Sequence, residues 1–171
     1  MFVGALCMSL LVACEQQELG ENDGMSVNEL RVEAEISSTG KIASRTTTTE
    51  EGQVAFAEND QIGFYTPTSE KSGSWIFNGE SWTASELYTW PDKKVTYNFC
   101  AYYPFTGAEA RNAITMPDLS AQNGVASQLN LYDFLVARST TSYTTHQGTV
   151  SFTGDEAFKH VYALIAITLK A

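Results

Sequence analysis

Apolar and polar residues alternate through LRVEAEISS, residues 30 to 38, with Leu30, Val32, Ala34 and Ile36 on one side and Arg31, Glu33, Glu35 and Ser37 on the other. A period of two predicts a half-buried strand with one wet face. The following TGKIASRTTTTEEGQ has no large apolar residue except Ile42, so it reads as an exposed loop with Arg45 in its middle. Val54 and Phe56 then begin a new extended segment. A turn is expected at Glu58-Asn59-Asp60, and a strand through Ile62, Phe64 and Tyr65. SGSWIFNGESWTASELYTWP carries Asn78-Gly79 between apolar runs, the strongest short-range cue for a hairpin. KVTYNFCAYYPF predicts a long strand stopped at Pro104, which has no N–H to give a ladder. NAITMPDLSAQNGVASQ reads as loop, and LYDFLVARS as strand. HVYALIAITL is too short for a membrane span and rich in β-branched residues, so it reads as a central strand buried on both faces. About seven strands separated by turn-forming segments predict an all-β protein, a β-sandwich.

Composition supports that pattern and narrows the partners. At 171 residues, 43% of them apolar, the chain has the size of one ordinary domain with a proper core. Thr, Ser, Gly, Tyr and Phe are plentiful, which suits a secreted all-β protein. A formal charge of -10 repels phosphate backbones and anionic lipid, so nucleic acid is excluded as a partner.

The N-terminal MFVGALCMSLLVA has no charged residue and is shorter than the ~20 apolar residues a spanning helix needs, so residues 1–13 read as a signal peptide. Leu11 to Cys14, LVAC, resembles the lipobox of bacterial lipoproteins, with a branched residue three before the cysteine and a small one immediately before it. That likeness implies that Cys14 becomes the acylated N-terminus; the alternative is a plain secretory signal with a chance cysteine. Two or more acyl chains hold a protein stably, at ~0.8 kcal/mol per buried CH₂. Residues 14–29, with Glu15, Glu18, Glu21 and Asp23, have the composition of an acidic, solvated tether. The three cysteines, Cys7, Cys14 and Cys100, suggest no disulfide framework, and Cys100 reads as a small buried hydrophobe.

Candidate chemistry is thin. The two histidines, His146 and His160, have no neighbour at metal-ligand spacing, and both read as surface or strand-entry residues. Calcium-loop, dinucleotide, phosphate-loop and nucleophile-elbow patterns are missing, so no catalytic, cofactor or metal residue is expected. Trp75, Trp82 and Trp90 form an aromatic cluster that either stacks on sugar rings or fills the sandwich core. Without a partnering set of carboxamides and acids, core packing is the preferred reading.

The lipobox cysteine, the Arg-Thr segment ahead of FAENDQIGFYT, the FCAYYPF strand, DFLVAR, and the closing VSFTGDEAFKHVYALIAITLKA together resemble the fimbrillin-like surface lipoproteins of Gram-negative anaerobes, the subunits of type V pili. The resemblance implies a transthyretin-like antiparallel β-sandwich over residues 30–171, the first of the family's tandem domains. It implies an outer-membrane, surface-exposed precursor held through lipid on Cys14, and cut by a trypsin-like protease after Arg45. Loss of the first strand then opens a groove that a strand of another fimbrillin subunit fills. As the second domain normally supplies the donated strand, the chain as it stands is expected to accept a strand rather than give one. A host or bacterial receptor, or a glycan, is the further partner implied. The alternative is a non-polymerising surface lipoprotein that binds carbohydrate through the tryptophans.

Overall fold

The computed structural model describes residues 28–37, 47–48, 54–122 and 132–162. The alternation at the start folds as predicted: β1 spans Arg31–Ala34, with Val32 buried and Arg31 and Glu33 exposed, and its flanks Leu30 and Ile36 are buried too. Two short strands, β2 (Thr47–Thr48) and β3 (Val54–Ala55), pair antiparallel. The turn at Glu58 and Asn59, where Asn59 takes a positive φ of 72°, leads into β4 (Gln61–Tyr65).

β5 (Gly73–Phe77) and β6 (Trp82–Ala84) form the expected hairpin. Its connection is a four-residue loop rather than a two-residue turn: the Asn78 Oδ1 accepts from the backbone N–H groups of Glu80 and Ser81 at 2.9 and 2.8 Å. Gly79, at φ 97°, supplies the left-handed residue such a loop needs. β7 (Thr96–Tyr103) ends at Pro104, and β8 (Leu135–Ser142) pairs with it over eight residues, from Thr96 opposite Ser142 to Tyr103 opposite Leu135. β9 (Thr149–Phe152), a short 3-10 turn (Gly154–Glu156) and β10 (Lys159–His160) complete the order. Seven of the described strands have three or more residues.

Six strands make one antiparallel sheet in the order β10-β8-β7-β4-β5-β6, and β1 and β9 make a two-stranded layer. The core joins the two layers: Ile62, Phe64, Trp75, Phe99 and Leu135 of the large sheet cluster with Val32, Val150, Phe152 and Phe158. Three details differ from the sequence reading. β1 pairs with β9 in parallel, so the sandwich is not wholly antiparallel. Asn28 and Glu29, assigned to the tether, already pair with Thr89 and Trp90. Cys100 is half-buried and faces outward, because β7 turns Phe99, Ala101 and Tyr103 to the core and Cys100 and Tyr102 to the opposite face. Of the closing apolar run only the beginning is described, with β10 at the edge of the large sheet, and residues 163–171 lie outside the described residues.

Candidate functional site

The seat of β1 is where sequence pattern, burial and pairing converge. Its odd-numbered backbone groups face β9: the Arg31 N–H donates to the Gly148 carbonyl at 3.0 Å and the Glu35 N–H to that of Phe152 at 3.1 Å. The same edge continues at Phe158, which donates to the Glu35 carbonyl at 2.9 Å and accepts from the Ser37 N–H at 2.8 Å. Side chains add the Glu35 carboxylate on the Gly154 N–H and the Arg31 guanidinium on the Gln147 carbonyl, both at 2.6 Å. On the other edge the Leu30 N–H reaches the Tyr88 carbonyl at 2.9 Å, and beyond it no strand of the described residues ladders with β1. A groove of about 620 Å³ lies there instead, between β1 and the outermost strand β6. Val32, Trp82, Ala84 and Leu87 line it, with Glu29, Glu33 and Glu86 among its charges.

Trp90 anchors the entry to this seat, since its indole N–H donates to the Gly148 carbonyl at 2.8 Å and its own backbone N–H to the Asn28 carbonyl at 3.0 Å. Beside it Trp75 stacks on Tyr88 at 4.5 Å between ring centres. Burial first, then the hydrogen bond to Glu86 Oε1 and that carboxylate's charge, push the Tyr88 phenol up to about 12.

The tryptophans do not share one exposed face. Trp75 and Trp90 are core residues, 1% and 4% exposed. Trp82 is half-buried, with Phe56 edge-on to its ring at 4.9 Å and Phe77 tilted against it at 5.1 Å. Cys14 and Arg45, the expected lipidation and processing residues, lie outside the described residues, as does Cys7. His146 is exposed in the turn before β9.

His160 is not at the surface but at a strand, in β10, and its side chain is largely buried there: its Nδ1 lies 2.9 Å from Asp133 Oδ1, the two side chains being only 9% and 6% exposed. The pair ties the entry of β8 to β10, and its outer atoms, Asp133 Oδ2 and His160 Nε2, have no hydrogen-bond partner among the described residues. The only hint in the sequence was an acid at the head of one apolar run and a histidine at the head of another. Nothing there indicated that the two would meet. Among the described residues no group of three or more His, Cys, Asp or Glu could hold a metal ion, and no helix is long and apolar enough to cross a membrane.

The class these features define is a two-layer β-sandwich whose first strand is seated in the core yet laddered along one edge. Residues 38–171 match the Fimbrillin-like family, and the chain belongs to it. That family is one of structural surface proteins, so the protein is a pilus-type surface subunit that polymerises with other fimbrillin subunits and is associated with the fimbrium. The match begins immediately after Ser37, leaving β1 outside it. No curated protein and no solved structure matches the chain.

Proposed function

We propose that the protein is a lipid-anchored fimbrial subunit that is held to the outer membrane through Cys14 and polymerises after cleavage at Arg45, when β1 leaves and a strand from another subunit takes its seat. The observation that carries this reading is the way β1 is held. Its apolar side chains reach the core, while among the described residues its backbone ladders along one edge only. A segment of that kind can be exchanged for another of the same pattern without breaking the large sheet. Arg45 follows β1 in a Thr-rich stretch of loop composition, where a protease finds the bond. Cys14, upstream of the cut, would hold only the precursor.

Limited digestion of the full-length protein with a trypsin-like protease is expected to give one dominant clip after Arg45, absent in Arg45→Gln, followed by an oligomer ladder in the presence of a full-length fimbrillin subunit. A clip elsewhere, or a clip at Arg45 with no ladder, defeats the assembly scheme. Metabolic labelling with a palmitate analogue tests the anchor separately, and label persisting in Cys14→Ser removes it.

A further inference from the structure

The outer face of the large sheet carries a cavity that the strand-exchange scheme does not use. About 680 Å³ in volume, it lies over β7 and β8, within the usual range for small-molecule sites. Cys100, Val136, Ile114 and Tyr65 give it an apolar surface, and Val136 is 39% exposed. Among the described residues its charged lining side chains are Arg111 and Arg138, and no carboxylate lines it. In a chain of net charge -10 with twice as many acids as bases, that combination runs against the composition of the whole surface.

The two guanidiniums are held differently. Arg111 lies over the Tyr65 ring, 5.2 Å from its centre, and its Nη2 reaches the Thr66 carbonyl at 3.4 Å. Arg138 stands on the exposed face of β8 between Val136 and Thr140 and directly opposite Cys100. It has no hydrogen-bond or ion-pair partner among the described residues. The Tyr65 hydroxyl, buried, also has none.

We propose that this cavity binds a small organic carboxylate with an aromatic or aliphatic body, its charge taken by Arg138 and Arg111 and its body lying on Cys100, Val136 and Tyr65. A guanidinium fork matches a carboxylate in two parallel hydrogen bonds, and apolar walls raise the strength of such a pair by excluding water. An inorganic anion would leave the apolar floor uncovered, and a neutral ligand would leave the arginines unused.

The probe is 1-naphthylacetate, compared with its neutral amide, titrated calorimetrically into the full-length protein. The acid is expected to bind, with the amide at least about tenfold weaker and Arg138→Gln weakening the acid by about tenfold, the scale of one charge-assisted hydrogen bond. Val136→Trp, which fills the floor, is expected to abolish binding while the thermal midpoint of Arg138→Gln stays at the wild-type value. Equal binding of acid and amide marks a merely greasy patch and overturns the proposal, as does unchanged affinity in Arg138→Gln or no binding up to about 1 mM. Loss of self-association in Arg138→Gln without any binding of the acid assigns this face to contact between copies instead, and likewise overturns it.

Discussion

Tyr88 shows how one side chain at the β1 seat joins packing to electrostatics. Its ring stacks on Trp75, its backbone carbonyl accepts from Leu30, and its hydroxyl donates to Glu86 Oε1 at 2.5 Å. Ionising it would strip that donor and set a phenolate beside a carboxylate in a partly dry site, so its pKa rises from 10.0 to about 12. A raised acid contributes its full stability below its unfolded value and loses that contribution as pH climbs through the folded one. Denaturant midpoints of wild type and Tyr88→Phe are therefore expected to differ by a constant amount below pH 10 and to converge between about pH 10 and pH 12. A gap that stays constant across that window removes the hydrogen bond to Glu86 and the burial as causes. Gly63 makes a different demand, being opposite Tyr102 in the β4–β7 ladder with the ring lying where a Cβ would go. Nothing local in QIGFY announces it, because the neighbour that requires a glycine comes from another strand.

At the scale of the element, legibility followed the pattern of burial. β1 was readable because only one of its faces is buried, which turns position directly into polarity. The β5–β6 hairpin was readable because Asn-Gly acts locally. β7 was readable as a strand but not as to face: Phe99, Ala101 and Tyr103 enter the main core while Tyr102, with Cys100 packed beside it, belongs to a second cluster with Tyr65 and Phe134, so both of its faces are apolar and alternation carries no information. The parallel pairing of β1 with β9 and the meeting of Asp133 with His160 arise from closure of the sandwich over long stretches of chain, which no window of sequence reports. The edge of β1 makes a prediction of its own. Successive N–H groups on a strand point to opposite sides, so the amides of Val32 and Ala34 point away from β9, on the edge where Val32 lines the groove, while those of Arg31 and Glu35 are bonded to Gly148 and Phe152. Hydrogen exchange on the intact protein is expected to be markedly faster at Val32 and Ala34 than at Arg31 and Glu35. Equal protection at all four would mean that the second edge of β1 is closed, and the case for an exchangeable strand would lose its geometric basis.

For the whole molecule, the question is what remains when the two-stranded layer loses one of its strands. Leu30, Val32 and Ile36 are all buried, at ~1.5–3 kcal/mol each, so removing them costs roughly 5–9 kcal/mol. Total stabilities of domains lie at about 5–15 kcal/mol, which makes that loss comparable to everything the sandwich has. The large sheet keeps its own ladders, but Val150, Phe152 and Phe158 lose the apolar side chains that cover them. On the proposed scheme a cut subunit would therefore accept a strand, and the replacement would need apolar residues at alternate positions so that one face fills the places of Leu30, Val32 and Ile36. This can be tested without any partner subunit. Protein cleaved after Arg45 and stripped of the released segment in mild denaturant is expected to unfold at a much lower denaturant midpoint than the intact chain. A synthetic peptide of residues 28–37 should restore the midpoint in a concentration-dependent way, as any ligand of the folded state does. The same peptide carrying Val32→Asp should fail, because its charge would enter the core beside Trp75 and Val150 without a partner. If the stripped protein is as stable as the intact one, β1 contributes little, and a vacant seat would give no drive to assembly.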